Sequence, residues 1–227
     1  MNALYIVPTP IGNLADMTYR AVECLKQVDL IACEDTRTSK KLLSHYQIDR
    51  PLISFHQHNE HKQTTRLIME LMSGKSMALI SDAGTPGISD PGFMLIRRAY
   101  QEGIQVTTLP GANAATTALV ASGLPCDRYV FEGFLPHKKG RKTRLDRLID
   151  EDKTVVLYES PHRIMRLIKE LLERCEQNRM VAVVRELTKT YEEVIRGSLK
   201  QVDEVLQERS SIKGEICVVL AGKDYSE

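Results

Sequence analysis

Acidic and basic side chains that could transfer a proton or bind an anion cluster directly after predicted strands. The sequence EDTR at residues 34–37 follows the second apolar run, residues 159–163 follow the seventh, and residues 185–189 follow the eighth. The carboxyl ends of parallel strands share one edge of a sheet, and ligands bind at that edge, so the clusters indicate a functional cleft. Strand-end charges also serve as helix caps, and this interpretation stays open.

Residues 81–92, with the sequence SDAGTPGISDPG, form a long connection between a predicted strand and a predicted helix. They include three glycines and two prolines in twelve residues. Glycine allows positive φ and the close approach of a ligand, whereas proline stiffens the backbone. Because connections of this kind usually need only about two to six residues, we expect a ligand-binding loop at the carboxyl edge of the sheet.

Apolar runs alternate with amphipathic runs along the chain, which predicts an α/β fold with two domains and mostly parallel sheets. The break GLPCD at residues 123–127 is the predicted boundary, so the N-terminal α/β domain covers 1–122 and the C-terminal one 123–227. Residues 193–197 follow their predecessor after a short turn and are the predicted antiparallel strand. The clearest helix has apolar residues at helical spacing: Ile164, Leu167, Ile168, Leu171, Leu172 and Cys175.

Composition limits the class of protein. The 227 residues suffice for two modest domains, and 42% apolar and 27% charged residues are typical of a globular chain. No apolar run reaches the length of a membrane span, and no signal-peptide core is evident. The five cysteines are scattered without a C-x-x-C pair, which indicates reduced thiols of a cytoplasmic protein. The net charge of +1 neither requires nor excludes nucleic acid.

Several familiar motifs are absent or lack their structural context. There is no G-x-G-x-x-G, and GKS at residues 74–76 precedes a predicted strand instead of following one, which argues against a nucleotide-binding P-loop. Ser160 and His162 lack the G-x-S-x-G elbow of hydrolases. The histidines of HQHNEH at residues 56–61 have no carboxylate beyond Glu60 and no thiolate, so we expect them to line a cleft and expect no metal site.

A basic tract lies early in the second predicted domain. Six cations fall within ten positions and are opposed only by Asp146: Lys138, Lys139, Arg141, Lys142, Arg144 and Arg147. In a nearly neutral chain this local excess fits a phosphate backbone. A solvated helix face explains the same pattern, so the tract alone leaves both interpretations open.

Seven motifs in order carry a family resemblance: TPIGNLADMT, CEDTRTSKKLL, SDAGTPGISDPG, LPGANAATTAL, ESPHR, RELTKTYEE and KGEICVVLAG. With them the chain resembles the tetrapyrrole-methylase superfamily, and more closely its bacterial branch that methylates the ribose 2'-hydroxyl of a cytidine in small-subunit ribosomal RNA. The resemblance covers essentially the whole chain. Many members of that branch carry an additional C-terminal segment, whereas this sequence ends five residues after Gly222.

The resemblance implies a homodimer of chains with two α/β domains, and S-adenosylmethionine bound in the cleft between the domains. GTP at residues 84–86 matches the superfamily's Gly-Asp-Pro turn, with Thr85 in place of the aspartate as in the RNA branch. The backbone of Ile88 is expected to meet the donor. The positions that match the donor pocket are Pro8, Gly84, Thr85, Pro86, Ile88, Asn113, Ala114, Tyr158, Leu187 and Ala221.

In the reaction that the resemblance implies, a ribose hydroxyl attacks a methyl group on a positively charged sulfur, and it gains from alignment and from a base. We expect Glu186, or else Asp35, to take or polarise the proton, with Lys189 holding a neighbouring phosphate. The substrate is small-subunit ribosomal RNA or the assembled small subunit. The predicted RNA contacts are Arg37, Lys40, Lys138, Lys139, Arg141, Lys142, Arg144 and Arg163.

Two alternatives remain from the sequence. A tetrapyrrole C-methyltransferase belongs to the same superfamily, but its compact anionic substrate does not need an extended basic tract. A non-catalytic RNA-binding assembly module would use the tract and leave the cleft empty. Binding of S-adenosylmethionine separates the module from the enzymes, and methyl transfer to small ribosomal subunits separates the two enzymes.

Overall fold

The computed structural model describes residues 3–227, which form two compact units. The first unit ends at Asn113, and the second is Ala114–Glu227. The sequence analysis places the boundary after residue 122, whereas the structure includes helix α5 (Ala114–Ala121) in the second unit, because this helix packs against strands of that unit. Within residues 3–227, no helix combines the length and apolar character needed to cross a bilayer.

The first unit is a parallel sheet with helices on both faces. Its strands are β1 (Ala3–Ile6), β2 (Leu30–Cys33), β3 (Leu52–Ser54), β4 (Met77–Ile80) and β5 (Gln105–Thr108). Its helices are α1 (Tyr19–Gln27), α2 (Thr36–His45), α3 (Glu60–Met72) and α4 (Phe93–Gln101). The described strands lie in the order β3-β2-β4-β1-β5, and all their pairings are parallel.

Alternating side chains give this sheet two buried faces. On one face, Leu4 and Leu79 share a core with Leu67 of α3 and with α4. On the other face, Ile80 shares a core with Leu25 of α1 and with α2. Helices α1 and α2 therefore cover one face of the sheet, and α3 and α4 cover the other.

The chain changes its winding direction between β1 and β4. From β1 the chain moves to β2 and β3 on one side, whereas from β4 it crosses to β5 on the other side. The loops after β1 and β4 therefore leave the sheet toward opposite faces. A crevice opens between such loops at the carboxyl edge, and this is where ligands bind in sheets of this type.

The second unit has a mixed sheet, and the predicted α/β fold class is confirmed. Its strands are β6 (Tyr129–Phe134), β7 (Thr154–Glu159), β8 (Met180–Arg185), β9 (Glu193–Ser198) and β10 (Ile216–Leu220). The order of the described strands is β6-β7-β10-β8-β9. β6 runs parallel to β7, and β9 runs antiparallel to β8 as the sequence predicted. The other helices are α6 (Arg141–Ile149), α7 (Ile164–Leu172) and α8 (Leu199–Gln207).

The direction of β10 differs from the mostly parallel pattern that the sequence indicated for both sheets. β10 lies antiparallel between β7 and β8. Because β9 runs back to the amino end of β8, helix α8 returns the chain to the carboxyl edge, and β10 must then run in the opposite direction. Its first residue, Ile216, consequently sits opposite Glu159 and Arg185, the last residues of their strands. A fully buried apolar strand looks the same in either direction, so its sequence cannot predict this.

Helix α7 confirms the clearest helical pattern in the sequence. Ile164, Leu167, Ile168 and Leu171 are all buried, and they share one core with strands β7, β8 and β10 and with helices α6 and α8. Helix α5 covers the other face, because Cys217 alternates with the core residues of β10 and its Sγ lies 3.8 Å from the Ala114 carbonyl oxygen.

We expect Leu167→Ala to lower the free energy of unfolding by about 2–5 kcal/mol, because it removes a fully buried side chain and leaves a cavity. The matched control on the same helix is Lys169→Ala, which changes an exposed residue and should shift the value by no more than about 0.5 kcal/mol. Urea denaturation followed by circular dichroism measures both. Equal losses in the two variants would contradict the assigned core.

Candidate functional site

A backbone bridge joins the loops after β1 and β4 at the crevice. The Thr9 N–H donates to the Gly84 carbonyl at 2.9 Å, and the Gly84 N–H donates to the Thr9 carbonyl at 3.0 Å. The Thr9 hydroxyl also donates to the Ser81 carbonyl at 3.0 Å. Gly84 has a φ of 79°, a left-handed conformation that residues with a side chain rarely adopt. The bridge therefore depends on a glycine and holds the two loops together.

The loop after β5 joins the same place. The Thr85 hydroxyl donates to the Ala112 carbonyl at 3.1 Å. A Cβ atom on Gly111 would lie 2.6 Å from the Pro8 Cβ, so only glycine allows this approach. The structure thus brings most of the first unit's predicted donor positions together, with Asn113 on the loop that carries Gly111. We name this group the β1–β4 corner: Pro8, Thr9, Gly84, Thr85, Pro86, Gly111 and Ala112.

The residues beside the β1–β4 corner fit the predicted donor, S-adenosylmethionine. Ile88 is apolar yet 41% exposed. Within residues 3–227, the backbone N–H groups of Thr85 and Gly87 donate to no backbone carbonyl. Exposed apolar surface next to loop N–H groups of this kind suits a ligand that combines an aromatic ring with hydrogen-bond acceptors, as an adenosyl group does.

Acidic side chains line a cavity in the first unit. The cavity has a volume of about 250 Å³ and is lined by Glu34, Gln57, Glu60, Ser89, Asp90 and Pro91. Burial and the charge of Glu34 raise the pKa of Asp90 to about 6. Burial and the charge of Asp82 raise the pKa of Glu34. The sequence analysis placed Glu34 in an acidic cluster but missed Asp90, which occupies the second SD pair of the long loop.

Asp35 acts as the N-cap of helix α2 and pairs with Arg37. Its side chain accepts the Arg37 backbone N–H at 2.8 Å, and the Arg37 guanidinium donates to the same carboxylate at 2.8 Å. The hydrogen bonds from Arg37 lower the pKa of Asp35 to about 2. Such a carboxylate is a weak base near neutral pH, so the cap interpretation explains this residue best. Arg37 itself and Lys40 are exposed.

Glu186 and Lys189 meet at the carboxyl edge of the second sheet. The Lys189 Nζ donates to Glu186 Oε1 at 2.8 Å and to Glu215 Oε2 at 2.9 Å. The Glu215 N–H donates to the same Glu186 oxygen at 3.0 Å. The hydrogen bond from Lys189 and then that from Glu215 lower the pKa of Glu186. The sequence analysis missed Glu215, because only the reversed β10 brings it to this edge.

The backbone of Glu186 has a φ of 52°, and that of Thr188 has a φ of 64°. Residues with a side chain rarely adopt this left-handed conformation, and it concentrates at functional sites. A side chain on Gly214 would collide with the Glu186 carboxylate, so the glycine is required for the carboxylate to lie where it does. The backbone around Glu186 and the close approach of Gly214 therefore hold Glu186 in one defined position.

Arg141, a predicted RNA contact, is buried within the second unit. Its side chain is 2% exposed, and its guanidinium lies 2.8 Å from Glu170 and 3.5 Å from Glu159. Arg163, another predicted RNA contact, lies 2.8 Å from Glu159 and is 16% exposed. Arg141 cannot reach an RNA backbone from this position, because it anchors the start of α6 to the end of β7. Sequence spacing missed this, since the two glutamates lie far along the chain.

The other cations of the basic tract are at the surface. Lys138, Lys139 and Lys142 are exposed, and Arg144 is half-exposed while it pairs with Glu132 at 2.7 Å. These four residues, named the basic surface from here on, precede and begin helix α6. None of the four is buried, so all of them can contact an anionic partner, although Arg144 already pairs with Glu132.

The donor positions of the second unit do not all lie together. Tyr158 pairs with Cys217, whose Sγ lies close to the Ala114 carbonyl, and Leu187 follows β8 at the same edge. Ala221 follows the opposite end of β10, about 13 Å from Cys217 at roughly 3.3 Å per residue. The structure thus groups three of these positions and separates Ala221 from them. The predicted cleft between the domains stays a prediction.

The histidine-rich segment after β3 is a capped turn. The His56 N–H donates to Asn59 Oδ1 at 2.8 Å, and the His56 ring lies 6.0 Å from that of His58. Within residues 3–227, no three His, Cys, Asp or Glu side chains are arranged to hold a metal ion.

Comparison with known sequences places similarity along the whole chain. A family model described as "Tetrapyrrole (Corrin/Porphyrin) Methylases" matches residues 3–203. The chain is 49% identical over 226 residues to "Ribosomal RNA small subunit methyltransferase I" of Haemophilus influenzae, covering 99% of this chain and 80% of that protein. It is 50% identical over 223 residues to the protein of the same name from a Synechocystis species, covering 98% and 80%.

Solved structures share the fold at low sequence identity. A diphthine synthase crystal structure matches with a TM-score of 0.74 and 15% identity, covering 96% of this chain and 90% of that one. The uroporphyrin-III C-methyl transferase from Thermus thermophilus, complexed with S-adenosyl homocysteine, matches with a TM-score of 0.65 and 17% identity, covering 96% and 97%.

We expect Arg141→Met to lower the free energy of unfolding by about 3–5 kcal/mol, because it removes a buried guanidinium that Glu170 and the buried Glu159 both pair with. Lys142→Met, at the adjacent exposed position, is the control and should stay within about 0.5 kcal/mol of the wild type. Chemical denaturation measures both values. If Arg141→Met unfolds like the wild type, the buried network does not hold α6.

We expect the wild type to lose stability as the pH rises, and we expect Asp90→Asn to lose less. Because the pKa of Asp90 is raised from 3.8 to about 6, the folded protein binds this proton more tightly than the unfolded chain does. Stability should therefore decline between about pH 4 and pH 6 in the wild type, and less in the variant. Unfolding measured across this range tests the expectation, with the exposed Asp127→Asn as control. Superimposable profiles for wild type and Asp90→Asn would refute it.

Proposed function

Because this chain belongs to the family of tetrapyrrole (corrin/porphyrin) methylases, we propose that it is an S-adenosylmethionine-dependent methyltransferase that methylates the ribose 2'-hydroxyl of a cytidine in small-subunit ribosomal RNA. The observation that carries this proposal is 49% identity over 99% of the chain to a ribosomal RNA small subunit methyltransferase. A solved uroporphyrin-III C-methyltransferase is only 21% identical in sequence to this chain, so this similarity supports the fold alone. The tetrapyrrole alternative thus has no specific observation in its favour.

The proposed donor, S-adenosylmethionine, supplies a methyl group on a positively charged sulfur. In the first unit, the β1–β4 corner would shape its site, with the N–H groups of Thr85 and Gly87 as donors and Ile88 as an apolar contact. In the second unit, the resemblance assigns Ala114, Tyr158 and Leu187 to the donor. An unoccupied assembly module has no need for a glycine- and proline-rich corner beside an exposed apolar residue.

Alignment is the main contribution that this chain can make to catalysis. A ribose hydroxyl is a weak nucleophile, and alignment can supply about 7–11 kcal/mol, whereas a positioned base supplies roughly 10²–10⁴-fold. Glu186 is the better proposed base, because the turns around it fix its carboxylate. Its lowered pKa keeps it ionised at neutral pH, so it would polarise the hydroxyl by accepting its hydrogen bond. Lys189 would hold a neighbouring phosphate or the developing negative charge.

Asp35 is the weaker of the two proposed bases. Its pKa of about 2 leaves it little tendency to accept a proton. The exposed Arg37 and Lys40 beside it are better suited to hold RNA phosphates, together with the basic surface of the second unit. We infer in addition that the chain forms a homodimer, as the resemblance implies, and that it acts in the cytoplasm on ribosomal RNA or on the assembled small subunit.

The experiment that tests the proposed function is transfer of labelled methyl groups from S-adenosylmethionine. Small ribosomal subunits, naked small-subunit RNA and a free tetrapyrrole serve as parallel acceptors, and the modified nucleotide is mapped. Label in one cytidine ribose of the subunit or its RNA is the expected result. Label in the tetrapyrrole alone, or donor binding without transfer to any acceptor, would refute the proposal.

We expect Glu186→Gln to lower kcat by about 10²-fold with little change in donor affinity, because the amide cannot polarise the hydroxyl as a carboxylate does. Asp35→Asn should lower kcat by less than about tenfold, since its carboxylate already serves Arg37 and the helix N-terminus. Calorimetry with S-adenosylmethionine controls for donor binding. If both variants methylate at the wild-type rate, neither residue acts as a base, and alignment alone must account for the rate.

A further inference from the structure

A β-bulge in the edge strand β6 places aromatic rings on one face of the second sheet. Phe131 pairs with Val156 and Phe134 pairs with Tyr158, with a register shift between Phe131 and Gly133. Residues three apart on a regular strand point to opposite faces, and one extra residue returns both phenylalanines to the same face. The φ of 69° at Gly133 provides the backbone conformation for this shift.

The ring of Phe134 is held in place but open to solvent. The Tyr158 ring lies 5.1 Å from that of Phe131 and 5.5 Å from that of Phe134, both in edge-to-face contacts. Phe134 nevertheless remains 52% exposed, because β6 is an edge strand that no other strand covers on that side. An exposed ring backed by other rings is a preformed surface on which a planar group can stack.

The segment that follows Phe134 is fixed at its backbone. Three arginines donate to the carbonyls of consecutive residues at 3.3–3.4 Å: Arg163 to Leu135, Arg141 to Pro136 and Arg166 to His137. Lys138 and Lys139 come next and are exposed. The buried ion network around Arg141 thus presents two lysines four and five residues from the ring. Their side chains are exposed to solvent, while their backbone directly continues the fixed segment that follows β6.

We propose that Phe134 stacks an unpaired base of the RNA substrate, while Lys138 and Lys139 bind the phosphates that flank it. This inference rests on the proposed function, since that function makes RNA the substrate. Charge favours RNA over a protein partner, because residues 135–145 contain no acidic side chain and four exposed cations besides the buried Arg141. Stacking tolerates any base, so Phe134 would fix the position of the strand without selecting cytidine.

The test uses the full chain and an unstructured ten-nucleotide RNA with 2-aminopurine placed at successive positions, because stacking on a ring quenches this fluorophore. Wild type is expected to quench it at several positions, because stacking that tolerates any base lets the strand bind in more than one register. Phe134→Ala should abolish this quenching and weaken binding by about 5- to 150-fold, as expected for the loss of one stacked base. Phe134→Tyr should retain both effects. Phe134→Leu keeps a large apolar side chain and is therefore expected to fold normally, but it should lose the quenching because it has no ring.

Two controls separate stacking from other effects. Tyr100→Ala removes another exposed ring near the end of α4, toward the amino edge of the first sheet, and should change neither quenching nor affinity. Lys138→Ala should retain quenching but reduce the dependence of affinity on salt concentration. Unchanged quenching and affinity in Phe134→Ala would overturn the inference, as would a change confined to the oligomeric state.

Methyl transfer distinguishes this inference from the proposed function. If small subunits are methylated and Phe134→Ala leaves both quenching and the KM for subunits unchanged, the stacking role fails while the function stands. If no acceptor is methylated but quenching depends on Phe134, the proposed function fails while the stacking surface stands.

Discussion

The hydrogen-bonded pair formed by Thr9 and Gly84 is the constraint on which the first unit's site depends. β1 and β4 are neighbours at the centre of the sheet, but the loops that follow them leave toward opposite faces. Without this bridge, the two loops would diverge and the crevice between them would stay open at its base. Two backbone hydrogen bonds close it, and the contact of Gly111 with Pro8 brings in a third loop. The corner is thus built from backbone atoms, which explains its demand for glycine and proline.

The carboxylates at the sheet edges fall into two groups, one with lowered and one with raised pKa values. Asp35 and Glu186 accept hydrogen bonds from cations, so their pKa values fall. Asp90 and Glu34 are half-buried, so burial raises both pKa values, and the charge of Glu34 adds to the rise at Asp90 as that of Asp82 does at Glu34. A base works best when its pKa lies near the working pH, and neither lowered carboxylate meets that condition. Under the proposed function, methyl transfer would therefore depend on alignment more than on proton transfer to Asp35 or Glu186.

Cations that are close in sequence serve two different purposes. Arg141 is inside the second unit, where a buried charge is tolerable only with partners such as Glu159 and Glu170. Lys138 and Lys139, three and two residues earlier, are exposed at the surface. The buried ion network stiffens the backbone from which the exposed lysines project. One tract therefore contributes to the fold and, under the proposed function, also to the surface that binds an anionic partner.

The sequence by itself determined the α/β class, the amphipathic helix α7 and the family. These features are local, because periodicity, turn residues and ordered motifs depend on neighbours along the chain. Only the tertiary structure decided the direction of β10, and with it the meeting of Glu215 with Glu186 and Lys189. It also decided that Arg141 is buried, that Ala221 lies apart from Tyr158, and that a bulge turns Phe134 to the face of Tyr158. Each of these depends on which strand lies beside which, and a buried apolar strand carries no mark of its neighbours or its direction.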